Sequence, residues 1–242
     1  IAFASSFAIF ATGRAFEQIR NTIAYPRLNV KIAASHAGIT VGEDGASHQS
    51  IEDVGLMRLI PNMTILVPAD ARETEKAVAA AVETPGPVYL RLGRMAVPPV
   101  YAGDYQFRVG LAVEMRPGKD LAIIANGLMV HESLQAAEFL ARKGISARVI
   151  NMHTVKPLDR EAVLRAARDT GAVLTAEEHS VIGGLGSAVA ELLGEEYPVP
   201  LKRVGIQDQF GESGRPDELL EKYGLTARHL VAAAEQLLER RP

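Results

Sequence analysis

Short apolar runs alternate with longer amphipathic stretches along the whole chain, the rhythm of strands followed by helices. Residues 1–4 read as the end of a strand. Phe7, Phe10, Phe16, Ile19 and Ile23 recur at roughly helical spacing, which predicts a helix over residues 6–25 that Pro26 stops. Val30–Ser35 is a buried-strand pattern, followed by a glycine-rich loop to Gln49 and a helix over residues 51–59. Residues 64–67 form a strand that ends at Pro68. Asp70, with Glu73 three residues on, marks a capped helix start, and Thr84-Pro85-Gly86-Pro87 marks its end. Residues 88–92 are the next strand. Between Gly93 and Phe107 the pattern breaks into Val97-Pro98-Pro99-Val100 and Gly103-Asp104, a linker. A second series follows, with strands over Leu121–Ala125, Ala147–Asn151, 173–176 and 201–204. Its helices cover 129–143, 159–169 and 184–193, then a last one capped by Thr226 with Leu230, Val231, Ala234, Leu237 and Leu238 on one face. The prediction is an α/β chain of two domains, residues 1–104 and 105–242, each with a mostly parallel sheet flanked by helices.

Composition narrows the function classes. With 242 residues, 48% hydrophobic and 23% charged, the chain has the profile of a soluble globular protein and room for two cores. A formal net charge of −3 without a basic stripe argues against nucleic acid as a partner. No apolar run approaches the ~18 residues of a membrane span. The absence of cysteine excludes disulfides, thiol catalysis and zinc–thiolate sites. The chain opens on Ile1-Ala2-Phe3-Ala4-Ser5-Ser6-Phe7, with neither Met nor the basic start of a signal peptide, an opening expected of the middle of a domain.

The densest polar chemistry is His36-Ala37-Gly38-Ile39-Thr40-Val41-Gly42-Glu43-Asp44-Gly45-Ala46-Ser47-His48-Gln49. It follows a strand and precedes a helix, so it falls at the C-terminal edge of a sheet, where open α/β folds bind ligands. Its three glycines allow tight backbone paths. Two histidines and two carboxylates in such a loop can shuttle protons and hold hydroxyls. A capped turn with solvated acids and histidines is the alternative reading of the same residues.

Phe7-Ala8-Ile9-Phe10, the loop from His36 to His48, Ile60-Pro61-Asn62-Met63 and Val67-Pro68-Ala69-Asp70 together resemble the pyrimidine-binding domain of transketolases. The likeness extends through Arg94 and, more loosely, through the rest of the chain. It implies the pyrimidine-type thiamine diphosphate-binding fold followed by a transketolase C-terminal domain. It also implies a cytoplasmic transferase of the pentose phosphate pathway that moves a two-carbon ketol unit between sugar phosphates. By this resemblance Phe7 and Phe10 pack against the aminopyrimidine ring of thiamine diphosphate, and a third aromatic found in some relatives is Gly13 here. His36 and His48 line the reaction channel and assist proton transfers, Asp44 bonds a donor hydroxyl, and Arg94 grips the sugar phosphate, with Arg91 close by in sequence.

Gly42-Glu43-Asp44-Gly45 only superficially matches the Gly-Asp-Gly start of the thiamine diphosphate–magnesium motif, because an extra acid interrupts the triplet and Asn62 comes too early. In transketolases that motif belongs to another domain, so the resemblance implies that the diphosphate and Mg²⁺ are held by a separate N-terminal subunit, in a homodimer or heterotetramer, with no metal ligand in this chain. The glutamate that activates the cofactor in this family lies upstream of Phe7, and no residue here matches it, so the chain by itself is expected to be inactive. Gly183-Gly184-Leu185-Gly186 reads as a structural turn, His179 as an interface or surface residue and His229 as solvated. Deoxyxylulose-phosphate synthase and the β subunit of a 2-oxo acid dehydrogenase share the fold. A non-catalytic dimerisation module is the rival from another class.

Overall fold

The computed structural model describes residues 1–103 and 105–240. Asp104, where the first domain was expected to close, and the last two residues of the second lie outside the described residues. Two five-stranded sheets organise the rest. The first contains β1 (Ala2–Phe7), β2 (Val30–Ser35), β4 (Val88–Arg91), β3 (Thr64–Leu66) and β8 (Thr154–Lys156), in that spatial order. The second has the order β10 (Leu201–Ile206), β9 (Val173–Ser180), β6 (Leu121–Ala125), β7 (Ala147–Asn151) and β5 (Val113–Arg116). In both, all pairings are parallel except at one edge, where β8 runs against β3 and β5 against β7.

Strand periodicity divides each core in two. In β6 every side chain is buried, yet Leu121, Ile123 and Ala125 face one cluster while Ala122 and Ile124 face another. Successive residues of a strand point to opposite faces, so both faces of this sheet must be covered. Helices α4 (Met129–Arg142) and α8 (Ala227–Leu238) cover the first face, and α5 (Arg160–Thr170) and α6 (Leu185–Glu196) cover the second. In the first sheet, Ile32, Ile65 and Tyr89 pack towards α2 (Asp53–Leu59) and a helix, α1, that spans Phe10–Arg14, Phe16–Gln18 and Ile19–Ala24. Leu66, Val88 and Leu90 pack towards α3 (Ala71–Glu83) through Ala77 and Ala81.

The opening differs from the sequence expectation. The strand runs through Phe7, paired with β2 along its whole length, and helical residues begin at Ala8, directly after it, with the π-type stretch starting at Phe10. Continuous pairing from Ala2 to Phe7 overrides the helical spacing of Phe7 and Phe10. Helix α1 is also wider than expected, with π-type bonds such as Tyr25 N to Arg20 O at 2.9 Å.

The Asp70 cap forms as expected: Asp70 Oδ1 accepts from Glu73 N at 2.8 Å, and Glu73 reaches back to Ala69 N at 2.6 Å. On either side of residue 104 the linker is anchored, with Val100 N bonded to Asp70 and the hydroxyls of Tyr101 and Tyr105 both donating to Glu73. Glu73 also accepts from Asn151 Nδ2, and burial holds its carboxyl above the usual range. Among the described residues, elements not anticipated include β5, β8, the short helix α7 (Pro216–Lys222) and a 3₁₀ stretch, Ile39–Asp44, within the glycine-rich loop.

Candidate active site at the first sheet's edge

The C-terminal ends of β1, β2 and β4 lie side by side and deliver the predicted residues to one place. Phe7 ends β1 and Phe10 lies in the first turn after it, their rings 6.0 Å apart and inclined by 21°. His36 follows β2 with φ of 59°, a left-handed conformation uncommon outside glycine. Its ring stacks on Phe7 at 4.0 Å and 9°. His48 meets Phe10 edge-on at 5.4 Å and Phe7 at 6.1 Å. All four side chains are half-buried. Ser35 Oγ lies 2.9 Å from His36 Nδ1, and Ser47 Oγ 3.0 Å from His48 Nδ1.

Asp44 and Arg94 form a second group at the rim. Arg94 Nη1 donates to Val41 O at 2.6 Å and meets Asp44 Oδ2 at 3.2 Å, with both side chains 42% exposed. Such a pair contributes about 0–1 kcal/mol, so an arriving anion can open it. Arg91, its neighbour in sequence, is a different kind of residue. It is buried, donates through Nε to Asp53 at 2.8 Å and through Nη2 to Glu178 O at 2.8 Å. Tyr89 donates to the same Asp53 oxygen at 2.6 Å. Arg91 therefore joins the two domains, and Arg94 is the half-exposed arginine of the two.

Several residues at the site carried no sequence signal. Arg14 lies 5.0 Å over the Phe10 ring, one residue after the glycine that replaces the third aromatic. Gln49 and Glu178 hold the loop from behind. An interdomain cavity of about 400 Å³, lined in part by Thr40, Asp70, Arg91, Gly93 and Glu178, lies behind the same loop; Phe7, Phe10, His36 and His48 do not line it.

The weaker sequence candidates resolve structurally. At the Gly183-Gly184 turn, Glu177 accepts from Leu185 N and Gly186 N, both at 2.7 Å, so the chain's own carboxylate occupies the α6 N-terminus. His179 is buried between the domains, where its Nε2 accepts from Gly55 N at 3.2 Å. His229 is half-buried rather than solvated, with Nδ1 2.8 Å from Thr226 Oγ1. Among the described residues no helix is long and apolar enough to cross a membrane.

The arrangement brings together two phenyl rings, two imidazoles against them and a half-exposed guanidinium paired with Asp44. Phe7 and Phe10 are near-parallel, with the His36 ring on one face of Phe7 and the Arg14 guanidinium over Phe10; half-buried phenyl rings of this kind are suited to contact with a planar heteroaromatic ring.

Comparison with known proteins gives the same family. The model for the transketolase pyrimidine binding domain matches residues 1–99, and that for the transketolase C-terminal domain matches residues 110–230. The chain is 50% identical, over its full length and 75% of the relative's, to a 6-deoxy-6-sulfo-D-fructose transketolase subunit of Clostridium sp. (strain MSTE9). It is 42% identical to one of the subunits of the apulose-4-phosphate transketolase of Phocaeicola vulgatus, covering 96% of this chain and 75% of that one. A solved split-gene transketolase, described as an inactive β4 tetramer, superposes with a TM-score of 0.94 at 57% identity, over 99% of this chain and 77% of the other. Transketolase from Leishmania mexicana superposes with a TM-score of 0.82 at 28% identity, over 99% of this chain and 34% of that enzyme. The chain belongs to the transketolase family and carries its pyrimidine-binding and C-terminal domains.

Proposed function

We propose that this chain is the C-terminal subunit of a split transketolase. It moves a two-carbon ketol unit from a ketose phosphate to an aldose phosphate, together with a separate subunit that holds the cofactor diphosphate through Mg²⁺. The observation that carries this reading is the convergence of Phe7, Phe10, His36 and His48 on one sheet edge with Asp44 and Arg94 at its rim. Thiamine diphosphate supplies, when bound, the nucleophilic carbon and electron sink that side chains lack.

The chain's own residues orient and transfer protons. Phe7 and Phe10 receive the pyrimidine ring. His48, held edge-on to both rings, gives and takes protons at the sugar hydroxyls, and His36 assists from the stacked position. Asp44 accepts a hydrogen bond from a donor hydroxyl, so donors lacking it leave a polar group unpaired and are rejected. Arg94 exchanges Asp44 for the substrate's terminal anion in a bidentate contact. A guanidinium serves a sulfonate as well as a phosphate. Sugars of the kinds named for the Clostridium and Phocaeicola relatives therefore belong among the donors to test.

The residues gathered here meet only the ring side of the cofactor, so turnover is expected only with the partner subunit. The relative described as an inactive β4 tetramer is in keeping with that requirement. The test reconstitutes the two subunits with thiamine diphosphate and Mg²⁺. It compares xylulose 5-phosphate plus ribose 5-phosphate with pyruvate plus glyceraldehyde 3-phosphate. Ketol transfer with the first pair supports the reading; turnover with the second pair alone would make the protein a synthase of the same fold.

A further inference from the structure

The loop that carries His36, Asp44 and His48 follows a path it does not hold by itself. His36, Gly38, Gly42 and Gly45 have φ of 59°, 88°, 82° and 75°, a region in which side-chain-bearing residues are strained. Each glycine faces the second domain. A Cβ on Gly38 would lie 2.2 Å from the Glu178 carboxyl carbon, one on Gly42 3.3 Å from Gly214 O, and one on Gly45 2.5 Å from Ser213 Oγ. Ile39 is fully buried in the second domain's cluster with Leu219, Leu220 and Leu225.

Two buried polar side chains fix this contact. Glu178 Oε1 accepts from Thr40 N at 2.7 Å, while its backbone carbonyl receives Arg91. The Gln49 amide nitrogen lies 3.1 Å from Ile39 O, 3.3 Å from Gly42 O and 2.9 Å from Glu212 O, tying both turns of the loop to the second domain. Gln49 is the residue next to His48, and Asp44 ends the 3₁₀ stretch Ile39–Asp44 whose carbonyls Gln49 contacts. Neither Gln49 nor Glu178 belongs to the aromatic and imidazole cluster, and they are 2% and 4% exposed.

We infer that Gln49 and Glu178 are positioning residues through which the second domain sets the placement of His36, Asp44 and His48. In kinetics this rests on the proposed ketol transfer; in geometry it stands alone. A loop displaced by about 1 Å costs up to ~10²-fold in rate, because proton transfer and hydroxyl recognition depend on aligned contacts.

The test uses the full-length protein and two readouts. The first is the NMR shift of the His36 and His48 ring protons, which lie in the ring currents of Phe7 and Phe10. The second is kcat and KM in the reconstituted complex. Gln49→Leu keeps volume and removes the donor, and Glu178→Ala removes the acceptor. Both are expected to move the imidazole shifts towards those of free histidine and to lower kcat about tenfold or more, leaving acceptor KM within about twofold. Glu178→Gln, which retains an oxygen for Thr40 N, is expected to restore both readouts. Gln49→Asn, which withdraws the amide by one methylene, serves as the milder variant if Gln49→Leu does not fold. Unchanged shifts and kcat in folded variants overturn the inference. Altered shifts with no ketol transfer by the wild-type complex leave the positioning role standing and remove the proposed reaction instead.

Discussion

His48 and Arg94 are the two side chains whose replacement separates chemistry from binding. His48 sits edge-on to Phe10 at 5.4 Å with one nitrogen beside Ser47. Its replacement by alanine removes a proton-transfer group and leaves the two phenyl rings. His48→Ala is expected to lower kcat by about 10²-fold in the reconstituted complex, in line with general acid–base contributions. Steady-state kinetics at saturating cofactor would check this, and an unaltered kcat would remove His48 from the proposed chemistry. Arg94→Ala is expected to raise KM for phosphorylated donors about tenfold or more with kcat little changed, since the contact lies at the rim and away from the rings. Its stability cost is expected to be small, because the Asp44 pair is half-exposed. The six candidates Phe7, Phe10, His36, Asp44, His48 and Arg94 were nameable from sequence because the runs that carry them resemble the transketolase pattern. Sequence left Arg91 and Arg94 adjacent in kind, and burial of Arg91 against Asp53 separates them.

At the scale of elements, β8 is the informative piece. It lies beyond the linker, yet pairs antiparallel with β3 and closes the first sheet. Lys156 Nζ donates from it to Arg58 O and Ile60 O, satisfying carbonyls at the end of α2. His153, just before it, is buried and stacks on Phe107 at 4.1 Å, and its backbone carbonyl accepts from Val67 N. Burial lowers its pKa from 6.5 to about 4, partly offset by Asp159. The group stays neutral in the folded chain and charges more readily when unfolded. Its contribution is therefore present above pH 6.5 and is lost as pH falls towards 4, at up to about 1.4 kcal/mol per pH unit. Urea midpoints at pH 4.5 and 7 are expected to differ less for His153→Leu than for the wild type; equal differences would show that His153 is not the source. β8 escaped the sequence reading because three residues carry too little periodicity to announce a strand, and the pairing partner is remote.

At the scale of the molecule, the two sheets share one structure. The second domain's core includes Ile39, Ile51 and Ala69 from the first, and the first sheet's core includes Val155 from the second. Buried polar contacts add to this: Arg91 with Glu178 O, Gly55 N with His179, and Glu73 with Asn151. Urea unfolding is therefore expected to be a single transition. Far-UV dichroism and tyrosine fluorescence should give the same midpoint; two resolved midpoints would mean that the domains unfold independently.

The sequence by itself determined the alternation of strands and helices, the parallel character of both sheets and the loop on which the candidate chemistry sits. It could do so because periodicity records which face of an element is buried, and because the chemical residues are close together in the chain. Tertiary structure alone decided where the first strand yields to helix, that β8 joins the sheet before the linker, and which arginine is buried. It also decided that the site loop rests on Glu178, 138 residues after Thr40. These depend on pairing and desolvation between distant segments, which no local pattern encodes.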